Sequence, residues 1–129
     1  MRVRLRSPIP LELLQWIGLF GAAIGWTAQH ITGFGVTVAQ CGAGGSAWHL
    51  DRTAWQLTLL VVGELLIVIA EAAAITVLVR TWGAAEDDAP PTGRQHFFAI
   101  AAATGNVLFF VMVLMSGIGT LATTPCHQA

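Results

Sequence analysis

Three long apolar stretches constrain this chain more than any other feature of its sequence. They run from about Leu11 to Ala39, from Thr53 to Val79 and from His96 to Leu121. Each exceeds the ~20 residues that an α-helix needs to cross a hydrocarbon core of ~30 Å. Because that core offers no water to backbone groups, helices are the expected form of all three. The prediction is an all-α integral membrane three-helix bundle, with spans at about 11–35, 54–80 and 96–121.

The composition agrees with a chain that mostly faces lipid. Hydrophobic residues make up 55% of the 129 residues and charged residues only 10%, whereas soluble domains carry about 25% charged residues. The acidic and proline-containing stretch at 86–93 reads as a solvated linker, so residues 1–129 form one transmembrane domain. No basic stripe is present that would favour nucleic acid as a partner.

The placement of the arginines predicts the orientation, because basic residues accumulate in cytoplasmic loops. With three spans, the N-terminus and the 80–95 loop share one side of the membrane. The arginines on that side are Arg2, Arg4, Arg6, Arg80 and Arg94, against Arg52 alone on the other side. We therefore expect a multi-pass protein of the bacterial inner membrane, with a cytoplasmic N-terminus and a periplasmic or extracellular C-terminus. The first apolar run is longer than the ~7–15 residues typical of a signal peptide and lacks a clean A-x-A site, so we expect it to be retained.

Both cysteines, Cys41 and Cys126, fall outside the cytoplasm under this topology. A disulfide can form and persist in an oxidising compartment, and this pair is a disulfide candidate. A metal site is the alternative, because His49 lies in the same loop as Cys41 and His127 directly follows Cys126. Cysteine and histidine bind zinc or copper, and thiolates favour Cu(I). Two free thiols are the third possibility.

Several polar residues interrupt the apolar stretches. Glu64 and Glu71 are seven residues apart, so they lie on one face of the second helix. Intramembrane carboxylates are costly and normally face a protein interior or a partner. Gln29 and His30 of the first span and Asn106 of the third are candidates to join them in an intramembrane polar seam. Such a seam has two interpretations, interhelical hydrogen bonding or the handling of protons and ions.

Small residues recur at helical spacing in two of the stretches. Gly21 and Gly25 form a GxxxG motif, and Ala101 and Gly105 form a small-xxx-small pair. Such faces allow the backbones of two helices to approach closely. The motifs predict helix association, either within this chain or with another protein.

A resemblance to a known group of proteins rests on residues spread over most of the chain. These are Trp26, Gln29, Cys41, His49, Arg94, Pro125 and Cys126. Together with the helix spacing, they resemble small three-helix bacterial membrane proteins encoded among haem–copper cytochrome oxidase genes. The resemblance implies a subunit or assembly helper of a respiratory electron-transfer complex.

No complete catalytic motif is present, so the sequence favours a protein that is not an enzyme. The first functional expectation is a non-catalytic accessory or assembly subunit of a larger bacterial membrane complex, with lipid and larger membrane subunits as partners. One alternative is a copper-handling assembly factor that acts on the periplasmic side. A second alternative is a small homo-oligomeric proton-coupled transporter that uses Glu64.

Overall fold

The computed structural model describes residues 9–42, 51–84, 88–123 and 126. It contains three α-helices, which are α1 (Leu11–Cys41), α2 (Arg52–Arg80) and α3 (Thr92–Ala122). Each helix is long and apolar enough to cross a membrane. At ~1.5 Å per residue they are about 45 Å long, so their ends reach past a ~30 Å hydrocarbon core unless they tilt.

The helices are somewhat longer than the predicted spans. α1 continues six residues beyond 35, to Cys41, and passes through Gly33 and Gly35 without a break. α3 begins at Thr92, four residues before the predicted start. The predicted first span stopped near Gly33 and Gly35, although the apolar stretch itself runs on to Ala39, whereas residues 92–95 of α3 are polar or small and precede the third apolar stretch.

Local chemistry explains where α2 begins and ends. The Asp51 side chain accepts a hydrogen bond from the Ala54 backbone N–H at 3.1 Å, which caps the first turn. Arg80 occupies the last turn, where a cation interacts favourably with the negative end of the helix dipole. Gly83 follows with φ +98°, a backbone conformation that residues other than glycine rarely adopt.

Small residues bring α1 and α2 together. A Cβ added to Gly21 would lie 3.0 Å from the Ala70 Cβ, and one added to Gly25 would lie 3.3 Å from the Leu66 Cβ. The GxxxG motif of α1 is therefore used within this chain. Gly105 of α3 differs, because a Cβ there would meet no described atom within 4 Å. The small-residue pair of α3 is thus left open on the surface of the bundle.

The interior is narrow, and most large apolar side chains point outwards. Ile67, Val77 and Val113 are the largest fully buried side chains among the described residues, and alanines supply much of the remaining interior. By contrast, Ile31 and Phe34 are 69% and 72% exposed. A surface this apolar is typical of a bundle whose surroundings are lipid or other protein.

Candidate functional site

The two cysteines join the ends of α1 and α3. Cys41 and Cys126 form a disulfide with their Cα atoms 5.3 Å apart, as the sequence predicts for one of its alternatives. The bond links residues 85 positions apart in the chain. We call this end of the bundle, where α1 and α3 end and α2 begins, the disulfide end.

The disulfide argues against the alternative metal site. Sulfur atoms bonded to each other supply no thiolate, so Cys41 and Cys126 offer no thiolate ligand in this state. His49 and His127, the other two candidate ligands, lie outside the described residues. Among the residues that are described, no group of three or more His, Cys, Asp or Glu is arranged to hold a metal ion.

Arg52 lies beneath the disulfide and ties α2 to the end of α3. Its Nη2 donates hydrogen bonds to the backbone carbonyl of Thr120 and, at 3.0 Å, to that of Thr123. The last carbonyls of a helix have no partner within the helix, and a cation there satisfies them and opposes the helix dipole. Sequence reasoning counted Arg52 only as a charge on one side of the membrane and missed this contact.

A cleft of about 860 Å³ separates α1 from α3 below the disulfide. We call it the disulfide-end cleft. α2 forms its floor, because at this level both outer helices contact α2. The residues that matter most in its lining are Gln29, His30 and Phe34 of α1, Arg52 and Gln56 of α2, and Ser116 of α3.

Gln56 is the polar anchor of the cleft floor. It is only 5% exposed, and its Nε2 donates to the Gly33 carbonyl at 3.2 Å and to Thr37 Oγ1 at 3.4 Å. A Cβ on Gly33 would lie 3.2 Å from Gln56 Oε1, so the glycine makes room for this contact. Gln56 was not among the polar residues predicted to form the seam. The signal was available in principle, as a glutamine in the first turn and a half of an apolar helix.

Gln29 and His30 line the deeper part of the cleft. Gln29 is 8% exposed, and its Oε1 has no hydrogen-bond partner among the described residues. His30 Nδ1 lies 3.2 Å from the Trp26 carbonyl, which can only accept, so Nδ1 carries the proton. In the neutral ring Nε2 is then an acceptor, and Ser116 Oγ lies 3.4 Å from it.

Glu71 and Asn106 line a second, smaller groove of about 300 Å³ between α2 and α3. Asn106 is 2% exposed, and its Nδ2 donates to the Gly18 carbonyl of α1 at 3.1 Å. One carboxylate oxygen of Glu71, Oε2, is shielded and has no hydrogen-bond partner in the described part of the chain. The walls of this groove are otherwise apolar.

Glu64 lies on the same face of α2 as Glu71, two helical turns nearer the disulfide end. Both of its carboxylate oxygens are shielded by neighbouring atoms, and neither has a hydrogen-bond partner within residues 9–42, 51–84, 88–123 and 126. Burying a carboxylate in this way costs free energy, because the group then needs hydrogen bonds or a cation to replace the water that it loses.

Four of the five residues of the predicted polar seam lie in two separate places, and Glu64 lines neither of them. Gln29 and His30 belong to the disulfide-end cleft, whereas Asn106 lies with Glu71 in the α2–α3 groove. Asn106 lies beside Glu71 and not beside Glu64, and the register of α3 against α2 that decides this could not be deduced from hydropathy.

Chemically, the two places offer hydrogen-bond donors and acceptors in apolar surroundings. Amide, imidazole, guanidinium and hydroxyl groups line the cleft, and the Glu71 carboxylate accompanies the Asn106 amide at the groove. Comparisons with protein-family models, with characterised protein sequences and with solved structures find no match to this chain.

Proposed function

We propose that this protein is a non-catalytic accessory or assembly subunit of a larger complex in the bacterial inner membrane. The observation that carries the proposal is Glu64. Its two carboxylate oxygens are shielded and unpartnered, twelve residues into a helix that is long and apolar enough to span a membrane. An intramembrane carboxylate normally faces a protein partner or a cavity, and Glu64 lines neither of the two cavities described above.

Two independent features support the proposed orientation. Five of the six arginines fall on the side of the N-terminus, which favours a cytoplasmic location for that side. The disulfide lies at the opposite end of the bundle, and disulfides persist in oxidising compartments such as the periplasm. Charge and redox chemistry therefore favour the same topology, with the C-terminus outside the cytoplasm.

The surface of the bundle provides for contacts with larger subunits. The open small-residue pair formed by Ala101 and Gly105 would let a helix of another protein approach α3 closely. The half-buried Glu64 side chain would have to turn outwards for a donor or cation of a partner helix to reach its shielded carboxylate. The resemblance to proteins encoded among haem–copper oxidase genes makes a respiratory electron-transfer complex the first partner to test.

The proposal is tested by isolating the tagged protein from native membranes in a mild detergent and separating the extract by native electrophoresis. We expect the chain to migrate with a larger complex. Glu64→Gln replaces the ionisable carboxyl group by an amide with little change in shape, and we expect it to lower recovery of the complex at least tenfold. Glu12→Gln, an exposed carboxylate in the first turn of α1, is the matched control and should leave recovery unchanged.

If all of the wild-type chain extracted from the membranes migrates alone, no larger complex contains it and the proposal is wrong. If the complex forms equally well with Glu64→Gln, a subunit role survives but Glu64 is not its contact. Mass spectrometry of the co-migrating proteins identifies whether the partner is respiratory.

Two other functions receive less support. A periplasmic copper-handling factor that used Cys41 and Cys126 would need free thiolates, and the structure pairs these residues in a disulfide. A homo-oligomeric proton-coupled transporter built on Glu64 would need a path to that carboxylate, and neither described cavity reaches it.

A further inference from the structure

The last turns of α1 and α3, at the disulfide end, contain no buried residue. The last buried residue of α1 is Gly33 and that of α3 is Gly117, and both helices continue beyond them. A Cβ added to Gly35 or Gly119, in these last turns, would meet no described atom within 4 Å. Segments with few buried contacts open most easily in a native protein. Apolar packing therefore does little to hold these two helix ends in place.

Specific bonds hold the two helix ends instead. Gln56 of α2 donates two hydrogen bonds to α1, and Arg52 of α2 donates two to backbone carbonyls at the end of α3. These contacts tie each outer helix to α2. The Cys41–Cys126 bond joins α1 directly to α3. The relative position of the two outer helix ends thus depends on a covalent bond that thiols can break.

The disulfide is placed where a soluble thiol can reach it. Both Cys41 and Cys126 are exposed. Cys41 is the last residue of α1, and each helix is longer than a ~30 Å hydrocarbon core requires, so this end of a membrane-spanning bundle lies at the membrane surface. Exposed disulfides are generally more easily reduced than buried ones, and bonds with a regulatory role are found among them.

We propose that the Cys41–Cys126 bond is a redox switch, which a dithiol reductant opens to release the ends of α1 and α3 from each other while the rest of the bundle stays folded. A thiolate of the reductant attacks one sulfur, forms a mixed disulfide and displaces the other cysteine, which takes up a proton. The second thiol of the reductant then displaces the first cysteine. Two electrons and two protons pass to the protein, and the reductant leaves as a disulfide. The switch does not depend on the accessory-subunit role.

The effect of reduction is confined by the surroundings of each part of the chain. At the membrane surface, water can replace the backbone hydrogen bonds of a helix end, so residues 34–41 and 118–122 can fray. Within the hydrocarbon core no water is present, so the helices persist there. The buried cluster of Ala22, Ile67 and Val113 also lies away from the disulfide and keeps its packing.

The test uses the full chain with its disulfide intact in phosphatidylcholine nanodiscs, and dithiothreitol is the dithiol. Maleimide labelling and intact mass spectrometry count the thiols, and amide hydrogen exchange measures local opening. We expect dithiothreitol to expose both thiols in the folded chain. Exchange should then become at least tenfold faster in residues 34–41 and 118–122, and should change less than twofold in residues 60–80.

The double variant with Cys41→Ser and Cys126→Ser is the matched control. It lacks the bond from the start, so its exchange without dithiothreitol should equal that of the reduced wild type. Addition of dithiothreitol should leave its exchange unchanged, which separates loss of the bond from any other effect of the reductant. Reduction of the wild-type chain supplies the same comparison if the double variant does not fold.

Three results would overturn the proposal. One is a bond that dithiothreitol reduces only after SDS has unfolded the chain. Another is complete reduction with no change in the exchange of either helix end. The third is faster exchange throughout all three helices, because the disulfide would then hold the whole bundle together as a permanent cross-link.

Discussion

Asn106 shows what a single polar side chain contributes to this bundle. It is buried between three helices, and its amide donates to the Gly18 carbonyl of α1. That carbonyl already accepts a hydrogen bond within its own helix, so the amide uses the second lone pair. The contact links α1 to α3 in the half of the bundle farther from the disulfide, where no covalent bond joins the described residues of these helices.

We predict that Asn106→Leu destabilises the bundle by about 0.5–2 kcal/mol, the range measured for interhelical hydrogen bonds in membranes. Leucine keeps the branching and the number of non-hydrogen side-chain atoms, but its methyl groups are bulkier than the amide, so the loss includes a packing contribution. Thr104→Val is the control, because the exposed Thr104 hydroxyl donates only to the Ile100 carbonyl of its own helix. Reversible unfolding in mixed detergent and SDS micelles measures both. Equal stability of Asn106→Leu and the wild type would remove this bond from the account of folding.

Which polar residues matter was predictable from the sequence, but what they contact was not. Gln29, Glu64 and Asn106 stand out because their apolar neighbours make any polar side chain conspicuous. Their partners depend on the rotation of each helix about its axis and on its shift along its neighbours. Neither quantity can be deduced from hydropathy, and Gln56 escaped notice altogether because it lies near the polar beginning of α2.

The helices pack through glycines and alanines, and the consequences differ sharply between positions. A Cβ on Gly18 would lie 3.0 Å from the backbone N of Ala74, an atom that cannot swing aside as a side chain can. A Cβ on Gly35, farther along the same helix, would meet no described atom within 4 Å. Gly18 is thus needed for the close contact between α1 and α2, whereas Gly35 has no packing role in the described chain.

Gly18→Ala is therefore predicted to destabilise the bundle by about 1–3 kcal/mol, as overpacked substitutions do. Gly35→Ala should be neutral or stabilising by up to ~1 kcal/mol, because alanine has the higher helix propensity. The pair is compared by the same SDS titration, followed by circular dichroism. A Gly35→Ala loss equal to that of Gly18→Ala would show that a partner or another element covers Gly35.

At the scale of elements, the number and type of helices followed from hydropathy, since three apolar stretches of this length admit few other structures. The use of the small-residue motifs did not follow. Gly21 and Gly25 face α2 within the chain, whereas Ala101 and Gly105 have the same spacing and face no helix of the described residues. Sequence spacing identifies a smooth helix face, but only the packing of all three helices decides what lies against it.

Different interactions join the three helices at the two ends of the bundle. At the disulfide end, a covalent bond, Arg52 and Gln56 join helices around a polar cleft. At the opposite end, Leu14, Val77 and Ala99 form a small apolar cluster with Ala73. The disulfide therefore lies next to the cleft, and it joins α1 to α3 at the top of that cleft.

Loss of the disulfide should destabilise the protein by about 2–4 kcal/mol, the usual range for a bond that closes a long loop. The bond restricts the unfolded chain over a separation of 85 residues. Cys41→Ser, Cys126→Ser and the double variant should be equally unstable, because each loses the same single bond. Thiol labelling of protein from native membranes supplies the direct measurement, since maleimide should modify neither cysteine before reduction and both afterwards. Full labelling without reductant would show free thiols, and it would also reopen the periplasmic copper-binding alternative that the disulfide now disfavours.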